Sequence, residues 1–181
     1  MNKNICFFGA ASNKVEEKYK EEIKEIGCFL AKRGYNLVFG GGEEGLMGAM
    51  AKGFTEGHGF ITGIYPVFIE EFEGVYKLCD EHIKTNTMQE RKQLMEQKAD
   101  LFLVGPGGIG TMDELFEVLT DKSLNLYKKA VILLNFDDFY KEIITFINNK
   151  LNSGVIPKER FHDFYICNNK EELENLLYFI S

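Results

Sequence analysis

The sequence predicts an α/β fold, a doubly wound parallel sheet flanked by helices, in a single domain spanning residues 1–181. Three observations carry that prediction. Short apolar runs of β-prone residues take turns with longer runs whose apolar residues recur at helical spacing. Within the short runs the apolar residues are continuous rather than alternating, which buries both faces of each strand, as in a parallel sheet covered by helices on both sides. Three of those strands run directly into glycine, and each glycine turn leads into a helix.

Each element follows in order. "NICFFG" is a buried strand closed by Gly9, and in "KVEEKYKEEIKEIGCFLAKRG" Val15, Tyr19, Ile23, Ile26 and Leu30 make a helical stripe that Gly34 stops. "YNLVFGGG" is a strand, "EGLMGAMAKGFTEGHG" a helix rich in small residues, and "FITGIYP" a strand ended by Pro66. Residues 67–85 read as a loop with a short strand near Leu78. "TNTMQERKQLMEQKAD" is a helix opened by a polar Thr/Asn cap. "LFLVG" is a strand, "TMDELFEVLTDKSLNLY" a helix, "KAVILLN" a strand, and "DDFYKEIITFINNKLNSG" a helix. "FYICN" and "KEELENLLYFI" supply a last strand and helix. A doubly wound sheet binds its ligand at the carboxyl ends of its strands.

Composition narrows the function. The 181 residues are 45% hydrophobic, with 16 Phe, 8 Tyr and no Trp, enough for a real core without disulfides. A net charge of −7 argues against a broad nucleic-acid surface and leaves room for a local basic pocket. Cys6, Cys28, Cys79 and Cys167 form no CxxC and read as free thiols of a reducing compartment. His58, His82 and His162 have no ligand spacing, so no metal site is expected. No segment approaches the ~20 apolar residues of a membrane span, and the short N-terminal apolar run does not make a signal peptide. The expectation is a cytoplasmic protein with no membrane partner.

The glycine turns "FFGAAS", "LVFGGGEEG" and "LVGPGGIGT" fall on one edge of a parallel sheet. Glycine lets a ligand approach the main chain, and helix N-termini offer unpaired N–H groups and partial positive charge. Three such turns together point to a phosphate or nucleotide site. None is a P-loop, since "GPGGIGT" has no Lys-Ser/Thr pair, and "GAASNK" is not GxGxxG, so a dinucleotide cofactor is poorly supported. Thr111 precedes Glu114 by three residues, the spacing of a capping box in which Glu114 reaches back to its own backbone. The other reading keeps Glu114 ionised and turned toward a bound sugar. Arg91 and Lys92 in "MQERKQLM" either pair with Glu90 or Glu96 on a solvated face, or place the Arg91 fork on phosphate or sugar oxygens.

"GGGEEGLMGAM", "MQERKQLM" and "GPGGIGTMDELFEVLT" together resemble the motif set of the LONELY GUY family, cytokinin riboside 5′-monophosphate phosphoribohydrolases often labelled "lysine decarboxylase-like". The resemblance runs from about Ile5 to "AVILLN". Most specific is the pairing of PGGxGTxxE, Pro106 to Glu114, with an upstream Met-x-x-Arg-Lys, Met88 to Lys92. It implies a Rossmann-like fold and hydrolysis of the N-glycosidic bond of adenosine 5′-monophosphates, N6-modified or plain, to a free base and ribose 5-phosphate. Arg91 and Glu114 match the catalytic pair. The implied substrate contacts are Gly42, Glu73, Met88, Lys92, Gly107, Gly108, Ile109, Gly110, Thr111 and Thr120. The family's homodimeric assembly is implied too, and no metal or organic cofactor is. A pyridoxal phosphate decarboxylase needs a Schiff-base lysine in a dedicated fold, and nothing here provides one.

The chain departs from the family pattern at Ala10 and Ala11, where two serines are usual, at Gly105, where leucine is usual, and in "DKSLNLYKK", which bears on the base pocket. A non-catalytic nucleotide or molybdopterin-phosphate carrier of similar fold is the competing reading, separated from the enzyme by turnover. A DNA-associated domain of similar fold is a third, which the charge of −7 opposes.

Overall fold

The computed structural model describes residues 2–72, 74–162 and 164–180. The chain order is β1 (Asn4–Phe8), α1 (Glu17–Lys32), β2 (Asn36–Phe39), α2 (Gly45–Glu56), β3 (Ile61–Pro66), α3 (Val67–Phe72), β4 (Glu81–Thr85) and α4 (Met88–Lys98). It continues with β5 (Leu101–Val104), α5 (Ile109–Ser123), β6 (Ala130–Leu134), α6 (Lys141–Asn152), β7 (Phe164–Cys167) and α7 (Lys170–Ile180). Among the described residues the seven strands pair in parallel, in the order β4-β3-β2-β1-β5-β6-β7. The fold class is as expected: one α/β sheet with helices on both faces.

The central strands show why the apolar runs are continuous. β1, β2 and β5 are buried at nearly every position, because alternate side chains enter two different cores. Phe7, Leu37 and Leu103 face the layer of α1, α2 and α7. Cys6, Val38 and Phe102 face the layer of α4, α5 and α6.

The departures from expectation lie where that logic weakens. The strand expected near Leu78 is β4, beginning at Glu81, and Leu78 itself sits in a turn, 63% exposed. β4 is an edge strand with polar side chains on its open face, so it lacks the continuous apolar signal of the buried strands. The short helix α3 fills a stretch expected to be irregular. α6 starts at Lys141 rather than Asp137, because Asp137 and Asp138 take left-handed conformations, φ 49° and 60°. α5 starts at Ile109, two residues before Thr111, with Gly108 as its N-cap and no side-chain cap. Of the two readings of Thr111 and Glu114, the capping box is therefore not formed.

Candidate active site

The strand order reverses between β1 and β5: the chain builds outward from β1 to β4, then crosses to β5 on the other side of β1. A crevice opens at such a point, beyond the carboxyl ends of the strands. Here it is floored by the turns that follow β1 and β5. The two are tied together, because Ala10 N–H donates to Pro106 O at 3.0 Å and Gly105 N–H donates to Phe8 O at 2.8 Å. A side chain on Gly105 would press on the Phe7 ring, 3.1 Å away, so Phe7 occupies the space a leucine would take there.

The three glycine turns are not equivalent. At the start of α2, Leu46 and Met47 N–H donate to Ala10 O, and Gly45 N–H donates to Asn13 Oδ1. That helix end is closed by the chain itself. At α5 the first-turn amides have no intrahelical partner by construction, and no side chain caps them. Among the described residues nothing lies within 4 Å of where a Cβ would stand on Gly108 or Gly110. The α5 N-terminus thus faces open space with its amides and its share of the helix dipole, the chemistry of an anion seat.

Beside it is a cavity of about 370 Å³, lined by Gly9, Ala10, Ala11, Ser12, Gly40, Met47, Ile69, Met88, Arg91, Gly108, Gly110, Thr111, Asp113 and Glu114. That volume falls within the range of small-molecule sites, about 300–1,000 Å³. Arg91 on α4 and Glu114 on α5 are each only 8% exposed, and Arg91 Nη1 donates to Glu114 Oε1 at 2.7 Å. The guanidinium lies so close over Gly40 that a Cβ there would overlap Nη2. A bare glycine at that position is what lets a charged fork reach the cavity. Burial pushes the Glu114 carboxyl up from its ordinary value, and the Arg91 charge and hydrogen bond recover part of that shift.

The structure sorts the other candidates by place. Met88, Gly108, Gly110 and Thr111 line the cavity with the Arg91–Glu114 pair. Gly107 lies just beneath, with the Thr111 side chain folded over it. Lys92 turns along the seam between α4 and α5, bonded to Asp113 at 3.0 Å and Glu117 at 2.5 Å. Burial opposes its charge, yet those carboxylates outweigh burial and hold its pKa above the usual lysine value. Ile109 is 89% exposed and does not line the cavity. Thr120 is about three turns past Ile109 on α5, donating to Phe116 O at 2.6 Å. Gly42 does not line the cavity and pairs antiparallel with Val75. Glu73 lies outside the described residues. The cavity also uses Gly40, Met47, Ile69 and Asp113, which sequence reasoning did not single out. Gly40 was signalled by its place in "FGGG", while Ile69 sits on the unexpected α3 and carried no signal.

A larger groove of about 750 Å³ runs past Asn13, Lys20, Glu43, Lys52 and Lys77. Its charges are mixed and it holds no buried ionisable pair, so size does not make it the chemical centre. Among the described residues no three His, Cys, Asp or Glu side chains converge to hold a metal ion, and no helix is long and apolar enough to cross a membrane.

A family profile described as "possible lysine decarboxylase" matches residues 47–177. Cytokinin riboside 5′-monophosphate phosphoribohydrolase LOG5 of Arabidopsis thaliana is 35% identical over 171 residues, 94% of this chain and 75% of that protein. The cytokinin riboside 5′-monophosphate phosphoribohydrolase of Mycobacterium tuberculosis is 32% identical over 162 residues, 90% of this chain and 87% of that one. The chain belongs to the LONELY GUY family. Solved structures extend the likeness in fold. The molybdenum cofactor binding protein of Rippkaea orientalis aligns with a TM-score of 0.77 at 22% identity, covering 99% of this chain and 98% of that one. The molybdenum cofactor carrier protein of Chlamydomonas reinhardtii aligns at 0.76 and 18%, with the same coverage. At those identities the likeness is one of fold. The LONELY GUY assignment rests on the sequence relatives, and it sets the Arg91–Glu114 pair in a phosphoribohydrolase family rather than among decarboxylases.

Proposed function

We propose that this chain hydrolyses the N-glycosidic bond of adenosine 5′-monophosphates, plain or N6-substituted, releasing the free base and ribose 5-phosphate. The observation that carries the reading is the buried Arg91–Glu114 pair set against the open N-terminus of α5. The α5 amides seat the 5′-phosphate, which fixes the ribose over Glu114. Cleavage passes through an oxocarbenium-like state, positive at the sugar. The Glu114 carboxylate stabilises that charge and accepts a proton from the attacking water. Water oxygen bonds to the anomeric carbon, the C–N bond breaks with its electron pair going to the base, and the base takes up a proton. Arg91 orients Glu114 and the phosphate-ribose oxygens. Met47, Ile69 and Met88 give the cavity an apolar wall for the base.

The same reading makes the protein a homodimer. Ile109 and Phe116, exposed 89% and 38%, lie two turns apart on α5, with Met88 of α4 exposed beside the cavity. A second copy covering that stripe would close the site mouth. Four free cysteines, two of them buried, suit the reducing cytoplasm.

The test is a panel of nucleoside 5′-monophosphates, N6-modified and plain, followed by chromatography for released base, with the unphosphorylated nucleosides as controls. Base is released from monophosphates and not from nucleosides. Binding of AMP without turnover would overturn the reading in favour of a carrier.

A further inference from the structure

The base of the glycine loop is held from outside by a side chain that does not line the cavity. Tyr140 is the N-cap of α6 and is 2% exposed. Its hydroxyl donates to Gly105 O at 2.7 Å, and the backbone N–H of Gly107 is directed at the phenol oxygen. The phenol thus bridges both ends of the Gly105–Pro106–Gly107 turn. With Gly105 N–H given to Phe8 and Pro106 O taken by Ala10, the polar backbone groups of Gly105 and Pro106 are satisfied. The first-turn amides of α5 begin immediately afterwards.

Tyr140 is itself held firmly. Its N–H donates to Asn135 Oδ1 at 2.9 Å, and buried Asn135 donates in turn to Asn168 at the end of β7. Phe139 packs edge-on against its ring, centroids 4.9 Å apart. The chain reaches this position through Asp137 and Asp138, both left-handed, a conformation that costs free energy at non-glycine residues. A helix running straight on from Asp137 would have avoided that cost. The irregular turn delivers Tyr140 to the loop instead.

We propose that Tyr140 is a positioning residue for catalysis, its hydroxyl fixing the Gly105–Gly107 turn so that the α5 amides stand ready for phosphate. This rests on the reading of that loop as the phosphate seat. Removing the hydroxyl leaves the buried Gly105 carbonyl without its partner, and the loop relaxes to find water. Phosphate binds in ground and transition states alike, so the loss falls on KM more than on kcat.

Tyr140→Phe keeps the ring and its packing and tests the idea in the full chain. Amide hydrogen exchange over residues 107–111 and the Kd for AMP are measured beside Leu177→Ala, a core truncation on α7 far from the loop. In Tyr140→Phe, loop exchange quickens and AMP binds about tenfold more weakly, with KM raised more than kcat is lowered. Leu177→Ala lowers the melting temperature without either change. Loop exchange and AMP affinity that stay at wild-type values in Tyr140→Phe, or equal losses in Leu177→Ala, would overturn the proposal. If the wild-type protein binds no AMP, the proposed function fails, and the exchange measurement still decides whether Tyr140 holds the loop.

Discussion

Two segments of this chain read Thr-x-x-Glu at the start of a helix, Thr87–Glu90 on α4 and Thr111–Glu114 on α5, and they are used in opposite ways. At α4 the pattern seals the helix. Thr87 Oγ1 accepts from Glu90 N–H at 3.1 Å, and the Glu90 carboxylate accepts from Asn86 N–H at 2.8 Å. At α5 the helix has already begun at Ile109, so Thr111 lies inside it and its side chain folds over Gly107. Glu114 is then a full turn too deep to reach back, and it meets Arg91, the residue after Glu90. The difference lies in the residue that takes the N-cap position. Threonine at 87 covers its helix end, whereas Gly108 has no side chain and leaves its end bare. A capped end contributes stability, and a bare one remains available to a ligand.

The two glutamates differ most in their effect on turnover. Glu114→Gln lowers base release from AMP by about a hundredfold or more, while Glu90→Gln leaves turnover near wild type. Equal losses in both variants, read by steady-state kinetics, would erase the distinction. Arg91→Ala sharpens it through pH. Glu114 must be ionised, and its carboxyl lies above the ordinary value of 4.5, so kcat/KM falls as pH drops through that raised pKa. Without Arg91 the main opposition to burial is gone and only the weaker pull of Lys92 is left, so the acid limb of the residual activity moves to higher pH. A limb that stays in place or moves down contradicts this electrostatic account.

Gly110→Ala probes the bare end directly. The residue is helical with open space around it, so alanine holds or raises stability by up to about 1 kcal/mol. The added methyl projects where the phosphate would lie, so KM for AMP rises although the melting temperature does not fall. The smallest effect belongs to the sealed end. Thr87→Ala costs about 1 kcal/mol of stability in denaturant titration and leaves KM unchanged.

Much of this was legible in the sequence, and the limits have physical causes. β1, β2, β5 and β6 declared themselves because strands buried on both faces must be apolar throughout. β4 did not, because Glu81, His82 and Lys84 serve an edge. The anion seat was visible as glycine turns, but nothing in their composition distinguished the closed turn before α2 from the open one before α5. That depends on Ala10 O, which sits over the α2 amides and not over those of α5. Arg91 and Glu114 were marked by resemblance. Their contact spans 23 residues and arises from how α4 packs on α5, which local pattern does not encode. For Glu114 local pattern pointed the wrong way, since a glycine N-cap leaves no signature and the threonine three residues on imitates one.

The central claim is that the α5 amides grip a monophosphate while Glu114 faces the anomeric carbon. A crystal structure of Glu114→Gln protein with AMP tests it most directly. The account predicts phosphate oxygens within hydrogen-bonding distance of the main-chain amides of residues 109–111, and the ribose anomeric carbon turned toward position 114. Phosphate lodged in the larger groove beside Lys20 and Lys52, with the Arg91 cavity empty, would contradict it.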